Sequence, residues 1–346
     1  MRTAWGALSH PLCAAGGAAG KSEAGRVHRA VICPSMTMTV RDFRAADAAA
    51  VAEARRSAFP HLVTTPRTVA WEVASAPEAR RYRLLVAEAD GRVVGCCDVG
   101  LFPGADGDGP GVACANTSVR ADARGRGAGS ALVTAAEEYA AGLGAAKVFA
   151  WTVDEPAFAA FAERRGYRRS RSCRILRLDL ATADLPPLDA DALPDGVALR
   201  SAADLADDPR RLYETDVDVM EDEPGDVVEG RMPYAEWLAR TWEHPSLDHE
   251  LTSLAVVDGR VAAFSLAHTD GRGRYWSGMT GTLRAYRGRG LAKLAKTHSL
   301  HRARAAGCAE AFTGNDSENG PMLAINVGLG YAVASLERRY VRELRH

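Results

Sequence analysis

Two loops rich in arginine and glycine contain the residue types that this sequence could use to bind a charged ligand. The first reads RGRGAG over residues 124–129, and the second reads RGRGLA over residues 287–292. Glycine lets backbone N–H groups approach a ligand closely, and the start of a following helix adds unpaired N–H groups and the positive end of the helix dipole. Arginine adds a charged, forked donor. Each loop therefore predicts a site for a phosphate or pyrophosphate.

The other glycine-rich nucleotide motifs do not fit these loops. A dinucleotide G-x-G-x-x-G would need glycine where the sequence has Ser130 and Lys293, and no G-x-x-x-x-G-K-[ST] run occurs. A tight turn that caps a helix would explain one such loop equally well. Two loops in the same context make a binding function the better interpretation.

The context of the loops is an internal repeat. An Asp-Gly turn between two apolar runs predicts a β-hairpin at residues 84–101 and again at residues 254–268. Each hairpin is followed by the loop, an apolar helix, a short apolar run and a Gly-Tyr pair, at residues 166–167 and 330–331. We predict two similar α/β domains, each ordered strand, helices, antiparallel hairpin, strand, helix, strand, helix, strand.

The repeat sets the expected domain boundaries. Residues 38–180 form the first domain and residues 197–346 the second, joined by a Pro/Asp-rich linker at residues 181–196 that lacks periodicity. Residues 1–37 are rich in Ala and Gly without hydrophobic periodicity, so we expect a disordered extension. They contain no apolar stretch typical of a secretory signal.

With these motifs in place, the chain resembles a tandem GNAT-type acyl-CoA N-acyltransferase from residue 40 onward. The family signature [RQ]-x-x-G-x-[GA] opening a helix is met at residues 124–129 and 287–292. The resemblance implies a mixed α+β sheet in each domain. It also implies that the strand before each loop, at residues 114–119 and 279–283, splays at a bulge and binds the pantetheine of acetyl-CoA.

The resemblance also implies which residues bind the pyrophosphate and pantetheine of acetyl-CoA. In the second copy they are Thr282, Leu283, Arg287, Gly288, Arg289, Gly290, Leu291, Ala292 and Asn319. In the first copy they are Val119, Arg124, Gly125, Arg126, Gly127, Ala128 and Gly129.

A second family element, N-x-x-[AG]-x-x-x-Y-x-x-x-G-[FY], distinguishes the two copies. The second copy keeps Asn319 and Gly-Tyr but has Asn326 in the tyrosine position. The first copy has Glu155 and Ala162 in the Asn and Tyr positions. The second copy also resembles the C-terminal half of mycothiol synthase-like tandem enzymes, which implies that the second copy is catalytic and the first at most binds coenzyme A.

Amine acetylation requires a neutral amine and a leaving thiolate. With an amine pKa of ~10, only about one molecule in a thousand is neutral at pH 7, so a base is expected. A thiolate tolerates a missing acid better than an alkoxide does. Asn326 could donate a hydrogen bond to the sulfur, and Tyr286 beside the loop is another donor, or a packing residue.

The expected base lies in an acidic segment. Residues 216–229 hold seven carboxylates and no Lys or Arg, and a negative rim would attract a cationic amine. Glu221 and Glu223 are the candidates within it, and Glu250 is an alternative. A solvated acidic loop without a catalytic role is the competing interpretation.

Composition narrows the class of protein further. The 346 residues carry a net charge of −1, without the basic excess that nucleic-acid binding requires, and no apolar run could span a bilayer. Seven cysteines without a C-x-x-C pair favour reduced thiols and a cytoplasmic location. His298 and His301 have no acidic partner at ligand spacing, so we predict no metal site.

The sequence thus predicts a cytoplasmic N-acetyltransferase, monomeric or homodimeric, that uses acetyl-CoA and the primary amine of a small molecule. The alternative is a non-catalytic sensor or scaffold that binds acyl-CoA. Nothing in the sequence selects among aminoglycosides, amino sugars, amino acids, polyamines, protein N-termini and mycothiol-type amines as the acceptor.

Overall fold

The computed structural model describes residues 38–102, 111–188, 193–221 and 231–344. The predicted extension at residues 1–37 and the candidate base Glu223 lie outside them. The strands are β1 (Met38–Asp42), β2 (Arg83–Ala89), β3 (Arg92–Phe102), β4 (Val112–Val119), β5 (Lys147–Val153), β6 (Arg168–Asp179), β7 (Val197–Ser201), β8 (Ser253–Val257), β9 (Arg260–Thr269), β10 (Arg274–Thr282), β11 (Glu310–Asp316) and β12 (Ala332–Glu343). The helices are α1 (Ala48–Ala58), α2 (Pro66–Ser75), α3 (Ala128–Gly142), α4 (Pro156–Arg164), α5 (Arg210–Met220), α6 (Tyr234–Trp237), α7 (Leu291–Ala305) and α8 (Gly320–Val327).

The strands form one mixed sheet rather than two separate ones. Its order is β1-β2-β3-β4-β5-β12-β6-β11-β10-β9-β8-β7. Both repeats have the predicted element order, but their last strands are exchanged: β12 pairs with β5 of the first repeat, and β6 pairs with β11 of the second. We call β1–β5 with β12 the first half, and β7–β11 with β6 the second half.

Helices cover both faces of the sheet because side chains alternate along each strand. In the first half, Leu85 and Ala87 pack with α3, whereas Leu84 and Val86 pack with α1 and α2. In the second half, Phe264 packs with α5 and α6 on the face that also carries α1 and α2. We call this face the acceptor face and the opposite face, with α3, α4, α7 and α8, the coenzyme face.

Each half contains one parallel strand pair that separates after three residues. β4 and β5 pair as far as Cys114 and Phe149, and β10 and β11 pair as far as Trp276 and Phe312. β10 also carries a bulge against β9 between residues 277 and 280. The bulge implied for the first copy is absent, because β4 pairs with β3 residue for residue over its full length.

The segment predicted as a linker packs against the second half. Leu185 is buried in the core formed by α7, β6 and β11. The Ala183 carbonyl accepts a bond from Arg304, and the Pro186 carbonyl contacts His301 Nε2 at 2.9 Å. The described part of residues 181–196 is therefore a fixed connection; the domain boundaries themselves stay a prediction.

A buried carboxyl lies where the two halves meet. Glu337 on β12 is fully buried, and its Oε1 lies 3.3 Å from Nε2 of His61. Burial raises the pKa of Glu337 to about 8 and lowers the pKa of His61 to about 3. Both side chains are therefore neutral in the folded chain near pH 7.

We expect Glu337→Gln to stabilise the fold at pH 8 but not at pH 5. The unfolded carboxyl ionises from about pH 4.5 upward and the folded one only from about pH 8, so wild-type stability falls across this window by roughly 3–5 kcal/mol. Thermal denaturation of both proteins from pH 5 to 8.5 measures the difference, in which the His61 contribution cancels. Glu343→Gln, an exposed change on β12, is the control; identical pH dependence for wild type and Glu337→Gln would contradict the prediction.

Candidate functional site

The two glycine loops have the same backbone geometry. Gly127 and Gly290 stand at the N-caps of α3 and α7 with φ of 94° and 74°, and neither helix start has a side-chain cap. No atom lies within 4 Å of the position that a Cβ at either glycine would occupy. Each loop therefore presents open N–H groups at a helix N-terminus, an arrangement that suits a pyrophosphate.

The lead arginines hold the loops in shape. Arg287 donates from Nε to the Thr282 carbonyl at 3.2 Å, and Arg124 donates to the Val119 carbonyl at 3.4 Å. The middle arginines, Arg289 and Arg126, are exposed, and so is the lead Arg287, whereas Arg124 is half-buried. The lead arginines tie each loop to the end of its strand, and the middle arginines extend into solvent beside the loop.

The strand before the second loop directs alternate backbone groups into the gap between β10 and β11. Leu283 donates its N–H to the Ala262 carbonyl at 3.0 Å and accepts the Tyr286 N–H at 2.9 Å. Both backbone groups of Leu283 are therefore already bonded, and only its apolar side chain could contact acetyl-CoA as predicted. Because backbone groups alternate along a strand, Thr282 and Thr280 direct theirs away from β9, toward this gap.

The gap in the second half is bordered by two glycines. Gly278 on β10 and Gly314 on β11 each lie two residues beyond the last ladder pair. A Cβ at Gly278 would lie 3.0 Å from His268 Nε2, and one at Gly314 would lie 3.3 Å from the Trp276 ring. The missing side chains let the His268 imidazole lie against β10 and the Trp276 ring lie against β11.

The equivalent positions of the first half are filled. Two residues beyond its last ladder pair stand Asn116 and Trp151, and the Trp151 N–H donates to Asn116 Oδ1 across the gap at 3.1 Å. Trp151 is 1% exposed. A pantetheine arm that enters between the splayed strands would meet the Asn116 side chain in the first half, where the second half has Gly278.

The acceptor face of the first half is also occupied by its own side chains. Arg55, fully buried, pairs with Glu72 at 2.7 Å and with Asp98. Tyr82 donates its hydroxyl to Asp98 at 2.6 Å. This ion cluster fills the space beneath α1 and α2, which favours the second half as the site of chemistry.

On the acceptor face of the second half lies a polar cluster that sequence reasoning missed. Ser246 Oγ is 2.8 Å from His244 Nδ1 and 3.0 Å from His268 Nδ1. Trp71 of α2 packs edge-on against the His244 ring, with 4.6 Å between centroids. Burial lowers the pKa of His244 to about 4 and that of His268 well below its ordinary range. His268 stands within an apolar strand, so its type and spacing gave no signal.

The predicted amides lie on α8. Asn319 caps this helix, with Oδ1 accepting the Met322 N–H at 3.3 Å. Asn326 is fully buried and donates to Asn315 Oδ1 of β11 at 2.6 Å, and its own Oδ1 has no hydrogen-bond partner among the described residues. Asn326 thus lies beside the splayed strand, as a role near the thioester would require.

Three more predicted features have structural roles. The Gly-Tyr pairs end α4 and α8 as helix caps: Gly166 and Gly330 have positive φ, and the Tyr331 N–H donates to the Asn326 carbonyl. Tyr286 is half-buried, and the Arg289 guanidinium lies 5.9 Å from its ring centroid. Its role as a donor stays a prediction.

The acidic segment is only partly described, and its charge is partly neutralised. Asp216 is buried and accepts the Trp237 indole N–H at 2.7 Å; burial raises its pKa to about 6. Arg231 pairs with Asp218 at 2.7 Å and with Glu221 at 3.1 Å. Glu221 is exposed at the end of α5, and Glu250 pairs with Arg302 at 2.6 Å. A catalytic role for Glu221 or Glu223 stays a prediction.

The described part of the chain has neither a cluster of metal ligands nor a membrane-spanning helix. Within the described ranges, no three His, Cys, Asp or Glu side chains are grouped as a metal ion would require. None of the helices in the same ranges has the length and apolarity needed to cross a membrane.

Comparison with known proteins places this geometry in a family. The acetyltransferase (GNAT) family model matches residues 48–167 and 212–324, more than half of the chain. A mycothiol acetyltransferase of Nocardia farcinica is 33% identical over 217 residues, which cover 61% of this chain and 68% of that protein. A mycothiol acetyltransferase of a Nocardioides species is 28% identical over 204 residues, covering 52% of this chain and 64% of that protein.

Solved structures have the same fold along most of the chain. A tandem GNAT protein from the clavulanic acid biosynthesis pathway superimposes with a TM-score of 0.68 at 22% identity, covering 90% of this chain and 99% of that one. A GCN5-related N-acetyltransferase from Sphaerobacter thermophilus gives 0.62 at 23% identity, covering 89% and 96%. The chain therefore belongs to the GNAT family of acetyltransferases and carries two copies of the family's fold.

Proposed function

We propose that this acyltransferase moves an acetyl group from acetyl-CoA to the primary amine of a small molecule, and that the second half does the chemistry. The single observation that carries the proposal is the pair of glycines beside the splayed strands. Gly278 and Gly314 place no side chain between the strands, whereas the Asn116 side chain spans the matching strands of the first half and accepts the Trp151 N–H. The loop at residues 287–292 would hold the pyrophosphate at one end of this gap.

The residues of the second half suit the parts of acetyl-CoA. The N–H groups at the start of α7 and the Arg289 side chain would hold the pyrophosphate. The backbone of β10 beyond its bulge would bind the pantetheine and polarise the thioester carbonyl. Asn326 would donate its amide to the sulfur. A bound neutral amine then attacks the carbonyl carbon from the acceptor face, and coenzyme A leaves as the thiolate.

The acceptor is an amine whose identity stays open. The related mycothiol acetyltransferases make a mycothiol-type amine one member of the test panel, beside aminoglycosides, amino sugars, amino acids, polyamines and peptide N-termini. A partly acidic rim at the end of α5 is compatible with a cationic acceptor. A cytoplasmic location and a monomeric or dimeric state are part of the proposal.

We expect acetyl-CoA and at least one amine of the panel to release free coenzyme A thiol at a rate well above hydrolysis. The measurement is thiol release with a chromogenic disulfide, with mass spectrometry of the product, which should gain one acetyl group. Acetyl-CoA binding without turnover across the whole panel would instead support the non-catalytic sensor.

A further inference from the structure

The hydrogen bonds of the polar cluster limit which imidazole nitrogens can carry a proton. The Ser246 backbone N–H donates to His244 Nδ1 at 3.2 Å, so this nitrogen is an acceptor. The Ser246 hydroxyl lies 2.8 Å from the same nitrogen and 3.0 Å from His268 Nδ1, and its single proton can be donated to only one of them. When the hydroxyl shares the proton with His244, Ser246 Oγ accepts the N–H of His268 Nδ1. In this tautomer, which the inference below uses, His268 Nε2 carries an unshared lone pair.

The backbone holds this arrangement in place. The Thr269 N–H donates to the Ser246 carbonyl at 2.9 Å, and the Asp248 N–H donates to the Ala267 carbonyl at 2.8 Å. These bonds set the segment that contains Ser246 alongside β9, next to His268. The orientation of the His268 ring is thus fixed by β9 and by its serine partner together.

His268 Nε2 lies beside Gly278, at the bulge of β10. His268 is 4% exposed, and Nε2 has no hydrogen-bond partner among the described residues. The Cβ that Gly278 lacks would stand 3.0 Å from this nitrogen. Any side chain at residue 278 would contact Nε2, so the glycine at the β10 bulge leaves this nitrogen next to the backbone of the strand that borders the gap between β10 and β11.

We propose that His268 is the catalytic base of acetyl transfer, and that Ser246 and His244 are positioning residues. This inference rests on the proposed function. The amine nitrogen forms a bond to the thioester carbon while its proton passes to His268 Nε2, directly or through one water. The C–S bond breaks with its electron pair going to sulfur, and the imidazolium gives its proton to the thiolate. Amide and coenzyme A thiol are the products.

The surroundings keep the imidazole ready to accept a proton. His244 is the titratable group that acts on His268, and burial lowers the pKa of both imidazoles, so both are neutral near pH 7. The Trp71 ring against His244 closes the far side of the cluster. The first half places Gly100 at the matching position of β3, counted from the hairpin turn, and so has no equivalent base.

The test compares two histidines that have the same local contact. His268→Asn keeps an amide N–H for Ser246 but loses the base, and we expect kcat/KM for the amine to fall about 100-fold or more, with the KM for acetyl-CoA changed less than about threefold. The acid limb of the pH–rate profile, which is the fall in kcat/KM as His268 becomes protonated at low pH, should disappear. His298→Asn is the control. His298 lies on α7, away from the gap, and its Nδ1 also contacts a serine, with 3.0 Å to Ser253 Oγ.

Ser246→Ala tests the positioning role. Removing the acceptor of the His268 N–H makes the imidazolium less stable, so the acid limb should move to lower pH, and kcat/KM should fall about tenfold. Loss of folding alone would not move this limb. Thermal denaturation and acetyl-CoA titration of each variant show whether the fold and the coenzyme site are intact.

The outcomes separate this inference from the proposed function. If wild type acetylates an amine but His268→Asn keeps its rate within threefold and its acid limb, the base assignment is wrong while the function stands. A loss confined to Glu221→Gln would assign the base to the acidic segment. If wild type binds acetyl-CoA and acetylates no amine of the panel, the proposed function is wrong, and the base assignment falls with it.

Discussion

Replacing Gly290 by Asp is expected to weaken acetyl-CoA binding about 100-fold or more. The new carboxylate would stand at the N-cap of α7, where the pyrophosphate is proposed to lie, and nothing occupies that space. Two like charges about 4 Å apart near a protein surface repel by about 4 kcal/mol at an effective dielectric constant of 20. Titration calorimetry with acetyl-CoA and kcat/KM for the amine both measure the loss.

Two further variants separate charge from backbone strain. Asn and Asp both tolerate the left-handed conformation and both cap helices well, so Gly290→Asn imposes a similar strain without the charge. We expect Gly290→Asn to weaken binding by tenfold or less, and the gap between the two variants to shrink at high salt. Gly307→Asp, at the opposite end of α7 with φ of 85°, controls for folding.

The corresponding change in the first half decides which loop serves the reaction. If Gly127→Asp abolishes turnover and Gly290→Asp does not, the assignment of chemistry to the second half is reversed. Equal losses for the two would mean that both loops hold a coenzyme needed for turnover.

The glycine loops could be found in the sequence because their function depends on local backbone geometry. Positive φ at Gly127 and Gly290 and a helix that starts at the next residue are properties of a few consecutive residues. The order of strands and helices was predictable for the same reason, since hairpin turns and helical periodicity are local. Asn319 was found as a motif residue, but its role as a helix cap needed the structure.

The exchange of the last strands could not be read from the sequence. β6 and β12 occupy matching places in the element order of the two repeats, so by order alone either could complete either half. His268 was missed because a polar residue within an apolar strand gains meaning only from what lies beside it. Ser246 lies 22 residues earlier in the sequence, and Gly278 lies on the adjacent strand β10.

The contrast between Trp151 and Gly314 also depends on strand register rather than on sequence. It leads to the second large effect that we expect: Gly314→Trp should reduce kcat/KM to about 1% of wild type or less. The indole would project from β11 at the position where β5 carries Trp151, and we expect it to displace the thioester from the attacking amine. Misplacement by about 1 Å can already cost two orders of magnitude in rate.

Smaller substitutions at Gly314 and Gly278 should reduce kcat/KM to different extents. A Cβ at Gly314 would lie 3.3–3.4 Å from atoms of Trp276, Cys173 and Ile175, so Gly314→Ala should fold and lose activity only in part. Gly278→Asn, which copies Asn116 of the first half, should block turnover from the other strand. Overpacking costs typically 1–3 kcal/mol of stability, so thermal denaturation must accompany every rate.

The decisive comparison is between coenzyme binding and transfer in Gly314→Trp. The loop at residues 287–292 is untouched by this change, so coenzyme A without its acetyl group should keep most of its affinity through the pyrophosphate. Acetyl transfer should be lost, because it needs the gap at the far end of the pantetheine. If Gly314→Trp folds, binds acetyl-CoA and acetylates an amine at the wild-type rate, the reaction does not occur between β10 and β11, and the difference between the two halves would have no bearing on catalysis.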